Sequence, residues 1–182
     1  MLILASGSPR RRELLSLITD EFEVLVSGCD EFVPEGTPAE KVPAILAEQK
    51  ALAVAKLRPE DTVIGSDTVV VLNNEIFEKP KDKVHAHAML KALSGKRHFV
   101  YTGVAVAEKG SVRSFVQKTE VEFYELSDET IEKYIATGEP MDKAGAYGIQ
   151  GKGSVLVKGI IGDYFNVMGL PVAETARFLG LV

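Results

Sequence analysis

Cysteine is almost missing from this chain: Cys29 is the 1 cysteine in 182 residues. That excludes an internal disulfide and a thiolate metal cluster, and it fits a reducing compartment. Excess positive charge is missing too. The formal net charge is −5, which argues against long nucleic acid as a partner and leaves only a local basic pocket open. No apolar run reaches transmembrane length and no signal-peptide pattern is present, so no membrane partner is expected and the expected location is the cytoplasm. There is no internal repeat or low-complexity tract, no P-loop pattern and no dinucleotide fingerprint. Histidine is scarce, at 3 residues. His85 and His87 stand two apart on a predicted helix, so they face different sides and cannot pair on one metal. Cys29 has no histidine near it in sequence, which leaves a Cys–His nucleophile poorly supported. The rest is an ordinary globular composition, long enough for one large domain or two small lobes.

The first fifteen residues carry the strongest local pattern. Leu2–Ala5 is a short apolar run that predicts a buried strand, broken by Ser6-Gly7-Ser8. Ser8 reads as an N-cap with Pro9 at the first helical position, and Leu14, Leu15 and Ile18 form the stripe to be buried. Arg10, Arg11 and Arg12 then crowd a helix N-terminus, where the macrodipole disfavours cations. An anion between them and the free N–H groups would reconcile the two, since a strand, a small-residue loop and a helix start already form a phosphate cradle. The plain alternative is a solvated basic turn. Arg12 stacks above Ser16 and Thr19 and is expected to point outward.

Further along, Phe22–Val26 predicts a second strand, followed by Asp30-Glu31. Thr37-Pro38-Ala39-Glu40 reads as a capping box for a helix to about Lys56. Its buried face is expected to hold Val42, Ile45, Leu46, Gln49 and Ala53, with Lys50 at the edge, snorkelling or reaching into a cleft. Thr62–Val71 is the most apolar segment and reads as strand at both ends. Asp67 interrupts it, and a carboxylate among valines must be paired, bind a metal, or shift its pKa. Gly65 would let the strand bend or a ligand approach. Asn73-Asn74 suggests a hairpin, and Lys79 before Pro80 is held extended. A helix is predicted over Asp82–Ser94, antiparallel strands over His98–Ala107 and Ser111–Tyr124, and a helix from Ser127 to about Thr137. The segment Asp142–Gly153 holds four glycines among charged residues and reads as a loop whose backbone meets a ligand. A strand over Ser154–Ile161, a loop over Gly162–Gly169 and a helix over Pro171–Leu179 complete the expectation.

Two sets of residues stand out. Arg10, Arg11, Lys50, Lys79 and Lys143 are cationic; Glu31, Asp67 and Asp142 are anionic. Cations for phosphates and carboxylates for a hard divalent ion are what phosphoanhydride cleavage needs. Nearly the whole chain also resembles the Maf family of nucleoside triphosphate pyrophosphatases. The likeness rests on Ser8-Pro9-Arg10-Arg11, Asp30-Glu31, Leu46-Ala47 through Lys50-Ala51, Ser66-Asp67-Thr68-Val69-Val70 and Lys79-Pro80. It continues in Leu93-Ser94-Gly95 with His98, Thr102-Gly103-Val104, Asp142-Lys143-Ala-Gly-Ala-Tyr-Gly-Ile-Gln150-Gly and Gly169-Leu170-Pro171. The stretch ending in Gln150 resembles the branch preferring dTTP and UTP. Glu78 stands where family members usually have glycine.

The resemblance implies a single domain over residues 1–182 with a mixed α/β fold of the Maf/ITPase type: an elongated twisted sheet flanked by helices, with two lobes around a central cleft. It implies hydrolysis of dTTP and UTP, and of modified pyrimidine nucleotides, to the monophosphate and pyrophosphate. A divalent cation, Mg²⁺ or Mn²⁺, and a homodimer come with it, as does a link to septum formation. Asp67 matches the catalytic acid usually described as the proton acceptor. Arg10, Thr68 and Gln150 match positions associated with base selection, and Ser8, Arg11, Glu31, Lys50, Lys79 and Lys143 match other cleft positions. Glu31 and Asp67 are the expected metal carboxylates, with Asp67 left open between base and metal ligand. The rival expectation is a nucleotide-binding regulator of cell division with little catalysis.

Overall fold

Two short parallel strands, β1 (Leu2–Leu4) and β2 (Phe22–Val24), open the chain around helix α1 (Pro9–Ser16). β1 also pairs in parallel with the long β3 (Thr62–Leu72), and Leu4 lies opposite Ile64. β3 then runs antiparallel to β5 (Arg97–Glu108), β5 to β6 (Ser111–Phe123), and β6 to β7 (Val157–Ile161). The short β4 (Glu75–Phe77) folds back on β3 through Asn73-Asn74, whose positive φ angles of 50° and 65° match a tight hairpin. The computed structural model, which describes residues 1–182, is thus a mixed sheet in the order β2-β1-β3-β5-β6-β7 with β4 on the β3 edge.

Period-2 alternation divides β3 between two layers. Ile64 on one face packs with Leu4, Leu14, Leu15, Val104 and Leu170, under α1 and the C-terminal α6 (Val172–Phe178). Val63 on the other face packs with Ile3, Ala47, Ala51, Val54 and Ala105, under α2 (Val42–Ala55). A third cluster, around Val70, Val100, Phe123 and Tyr147, is covered by α3 (Lys83–Leu93) and α4 (Asp128–Ala136).

Helix α2 buries a different stripe from the expected one. Val42, Pro43, Leu46, Ala47, Ala51 and Val54 face the sheet, while Ile45, Gln49 and Ala53 are only partly covered. The cause is backbone contact. A Cβ on Gly65 would overlap the Ala47 carbonyl, and one on Gly103 would overlap Pro43. The sheet therefore accepts the helix along its smallest side chains, and Gly65 serves helix packing instead of ligand approach. The capping box does not form either. Thr37 donates to the Pro34 carbonyl at 2.7 Å, a single 3₁₀ turn covers Ala39–Lys41, and the α-helix starts one residue before Pro43, whose missing N–H suits a first turn.

Two corrections concern the C-terminal part. The expected strand from Ser154 begins only at Val157, because Gly151–Leu156 is a 3₁₀ turn. The expected loop over Gly162–Gly169 contains α5 (Tyr164–Met168), capped by Asp163, which accepts from the N–H groups of Phe165 and Asn166. Gly169 ends it at φ 118°.

Candidate active site

The site lies at a gap in the sheet. β1 accompanies β3 only as far as Ile64, and β4 joins β3 only from Val70. Between them the β3 edge is uncovered, so side chains from both faces reach one opening. It is a cleft of about 840 Å³, lined by Ser6–Arg11 after β1, by Glu31, Lys50, Asp67, Thr68 and Lys79, and by the segment from Asp142 to Gly151. That volume suits a ligand of nucleotide size. Ser8, Arg10, Arg11, Glu31, Lys50, Asp67, Thr68, Lys79, Lys143 and Gln150, expected from sequence to form a site, all line it. Arg12 is exposed, as its helical position predicted.

Asp67 does not interrupt β3; the strand runs straight through it. It shares the α2 face with Gly65, and α2 supplies its partner: Lys50 Nζ lies 2.6 Å from Asp67 Oδ1 and 3.1 Å from Glu31 Oε1. Gln49, next to Lys50, clasps the Phe32 main chain through both its amide oxygen and its amide nitrogen. That clasp holds Glu31 in place on a segment with no regular structure. Asp67 Oδ2 takes no part in the ion pair, so one carboxylate oxygen is free to accept from a ligand or water.

Arg11 approaches from the opposite face. Its Nε donates to the Gly169 carbonyl at 2.9 Å, Nη1 to Ser6 Oγ at 3.4 Å and Nη2 to Thr68 Oγ1 at 3.1 Å. A guanidinium has five N–H donors, so two remain. Burial pulls its pKa below the ordinary value; Asp67 and Glu31 oppose this, and Arg10 adds to it. No carboxylate lies within ion-pair distance of Arg11. A desolvated cation in that situation favours an incoming anion. Thr68 is committed as well. Thr102 donates to the Asn166 carbonyl, so the Thr68 hydroxyl spends its proton on Thr102 at 2.9 Å and accepts from Arg11. Toward a ligand it can only accept.

The facing wall is a chain of contacts. Arg10 Nη1 meets Asp142 Oδ2 at 3.3 Å, Asp142 Oδ1 meets Lys143 Nζ at 2.7 Å, and Lys143 also donates to the Glu139 carbonyl at 2.7 Å. Burial pushes the Asp142 carboxyl up, but Lys143 and Arg10 outweigh it and leave it below the usual range. Lys79 is exposed and has no ion pair, and neighbouring Glu78 does not take it. Cys29 points at Ser27 and meets no histidine.

Sequence reasoning overlooked Glu139, which lines the cleft. Its partners lie at Tyr134, Lys152 and Gly153. No spacing rule ties a carboxylate after a helix to N–H groups in a later glycine loop, so only the fold reveals it. His98 and Tyr147, quoted above from separate motifs, meet in the core at 2.7 Å.

No three His, Cys, Asp or Glu side chains gather closely enough to hold a metal by themselves. Glu31 and Asp67 do converge on one ammonium. Two carboxylates beside a run of cations are a donor set Mg²⁺ accepts when phosphate oxygens supply further ligands. The residues therefore fit a cation that arrives with a polyphosphate, and not a resident all-protein cage.

Known proteins give four points of comparison. The family model described as "Maf-like protein" matches residues 1–182. A protein of Bacillus cytotoxicus named dTTP/UTP pyrophosphatase is 53% identical over 178 residues, covering 97% of this chain and 93% of that one. One of the same name from Geobacillus sp. is 53% identical over 176 residues, covering 97% and 95%. Among solved structures, the Ham1 protein of Staphylococcus aureus aligns at 19% identity over 67% of this chain and 71% of that chain, with a TM-score of 0.48.

Proposed function

The chain belongs to the Maf-like protein family, and from that premise we propose that it is a nucleoside triphosphate pyrophosphatase. It hydrolyses dTTP and UTP to the monophosphate and pyrophosphate, as the names of its relatives at 53% identity suggest. The observation that carries the reading is the convergence of five cations and Asp67 in one cleft. A binding module has no use for a carboxylate with a free oxygen beside a polyphosphate.

Arg10, Arg11, Lys79 and Lys143 hold the phosphates and neutralise charge as it grows on the pyrophosphate leaving group. Arg11 does so with its two uncommitted N–H groups. Lys50 holds Asp67 by one oxygen, which leaves Oδ2 to take a proton from the water attacking the α-phosphorus. Glu31 and Asp67 would hold Mg²⁺ or Mn²⁺ together with phosphate oxygens. That ion would polarise the phosphoryl oxygens when bound.

Gln150 reads the base. Its carboxamide makes no hydrogen bond within the chain, and it offers an acceptor and donors together. Uracil and thymine present N3–H beside O4, so one glutamine satisfies both. Modified pyrimidines that keep this edge fit equally. Ser8, Arg10 and Thr68 complete the substrate contacts, Thr68 as acceptor only. The reading takes residues 1–182 as one catalytic domain, supported by a single sheet that runs past both sides of the cleft. No helix is long and apolar enough to cross a membrane. Cytoplasmic location draws support from the free Cys29, and the homodimer from the family resemblance.

The test is direct. Purified protein is given each common triphosphate with Mg²⁺ or Mn²⁺, and pyrophosphate is measured. Release from dTTP and UTP, lost on chelation, is the expected result. Tight binding without pyrophosphate release would contradict the reading.

A further inference from the structure

Gln150 lies in a segment that has no regular structure to hold it. Its neighbours include Gly148, Gly151 and Gly153, and the 3₁₀ turn that follows it, Gly151–Leu156, has no side-chain cap of its own. Yet three main-chain donors flanking Gln150, at Gly148, Lys152 and Gly153, meet the same two side chains. Glu139 Oε2 accepts from the Lys152 N–H at 3.0 Å, and Oε1 accepts from the Gly153 N–H at 3.0 Å and from the Tyr134 hydroxyl at 2.9 Å. The Tyr134 oxygen in turn accepts from the Gly148 N–H at 3.1 Å. The loop is thus pinned before Gln150 and after it by one carboxylate–phenol pair.

The glycines belong to this brace. A Cβ on Gly151, at φ +64°, would run into the Glu139 carboxylate, and one on Gly153 would run into both the Gly148 carbonyl and the Tyr134 hydroxyl. The sequence pattern suggested that these glycines let a ligand approach; two of them let the brace approach instead. The main-chain carbonyl of Glu139 also holds Lys143 at 2.7 Å. One residue therefore ties the base-reading loop to the phosphate-binding wall.

We propose that Glu139 and Tyr134 are positioning residues that set base selectivity by holding the main chain on both sides of Gln150. This rests on Gln150 reading the base. A hydrogen-bonding glutamine discriminates only if its carboxamide is presented at a fixed distance and angle, because a site built to bond one edge rejects another through unpaired groups. Once the pins are removed, the loop can present the carboxamide to several edges, and selectivity falls more than turnover does.

Y134F removes the hydroxyl and keeps the ring in its core position. E139Q keeps one acceptor oxygen and turns an amide NH₂ against a main-chain N–H. The experiment measures kcat/KM for UTP, CTP and GTP, by pyrophosphate release, on the wild type, Y134F, E139Q, Q150A and the Y134F/Q150A double variant, with thermal unfolding beside it. Y134F, E139Q and Q150A should each lower the preference for UTP over CTP and GTP by about tenfold. The double variant should lose no more preference than Q150A alone, since both changes remove the same discrimination. An equal drop for all three nucleotides would mean that the pair only supports the fold, and losses that multiply in the double variant would mean that it acts apart from Gln150; either overturns the proposal. If Q150A leaves the preferences intact while the wild type still cleaves UTP, base reading by Gln150 has failed and the brace's role in selectivity fails with it. A wild type that releases no pyrophosphate refutes the function itself. Should Y134F not fold, E139Q alone and combined with Q150A carries the same comparison.

Discussion

One wall of the cleft is drawn from regular elements and the other from turns. Asp67 stands on β3, Lys50 on α2 and Arg11 on α1, and each of these elements is set by main-chain pairing or by packing of a buried stripe. The facing wall, from Gly138 to Gly153, has only 3₁₀ turns, and Gly138, Gly145, Ala146 and Gly151 all take positive φ. Ala146 does so at φ 60° while fully buried, a conformation that costs about 1–2 kcal/mol for a residue with a Cβ. On the proposed reading, rigid elements hold the reacting groups where a small displacement would be most damaging. On the proposed reading the turns hold the groups that choose among ligands, and side chains brace those turns: Glu139 with Tyr134, and His98 with Tyr147.

The largest effect expected from this division is on the rigid wall. Asp67→Asn is nearly isosteric, keeps an oxygen for Lys50, and should leave thermal unfolding almost unchanged. It should lower kcat at least about a hundredfold, the usual scale for a general base. Activity within about threefold of wild type, far short of that scale, would remove Asp67 from the chemistry and with it the distinction between the walls.

Arg11→Ala is next. From sequence alone this change should weaken triphosphate binding and affect the monophosphate product less. The three hydrogen bonds to Ser6, Thr68 and Gly169 alter that expectation. Triphosphate affinity should fall by roughly 1.5–3 kcal/mol, the worth of a charge-assisted contact, and the melting temperature should fall as well. Calorimetric binding of triphosphate and monophosphate, run beside unfolding, separates the two. Equal loss for both ligands would make Arg11 a structural residue only.

Acid should loosen the turn wall first. Burial pulls His98 down from 6.5 to about 4, so the folded state keeps the ring neutral while the unfolded chain protonates it. The native state then binds fewer protons between those values. Stability is fully present above the unfolded pKa and is lost as pH falls toward 4. The loss should reach roughly 2 kcal/mol near pH 5. Denaturant unfolding across that range measures it, and hydrogen exchange should show the Tyr147 segment opening before β3. Replacing His98 with glutamine should flatten the pH dependence; an unchanged slope would show that His98 is not its source.

The smallest effect is selective. Gln150→Glu keeps an acceptor, loses the donor and turns a like-signed oxygen toward O4 of uracil or thymine. It should lower kcat/KM for dTTP and UTP by about tenfold or somewhat more, with CTP less affected because its exocyclic amine is a donor. A uniform drop across dTTP, UTP, CTP and GTP would make Gln150 a loop support and blur the two walls into one.

Legibility followed the same division. β1, α1, β3, α3, β5, β6 and α4 were readable because each carries its own period, cap or breaker: Pro9 at a helix start, Asn73-Asn74 in a hairpin, Ser127 before a helix. The buried stripe of α2 was not, because Gly65 and Gly103, on strands far along the chain, chose its smallest side chains. Helix α5 was missed because five residues carry too little periodicity, and only Asp163 announces it. In the site, the residue types and the chemistry they suit were plain: cations, carboxylates and a glutamine in a glycine loop. Their partners were not. Lys50 with Asp67 spans 17 positions and Arg10 with Asp142 spans 132.

By itself the sequence determined which side chains are of a type suited to phosphate chemistry and where most of the longer strands and helices lie, since both depend on residue type and on spacings of a few positions. The tertiary structure alone decided where β1 stops short of β4 and opens the β3 edge, and which oxygen of Asp67 stays free. It also decided that Thr68 can only accept, and that Glu139 holds the loop bearing Gln150. These follow from sheet register and from contacts between distant segments. Register is a property of how strands meet, and no local pattern in either strand contains it.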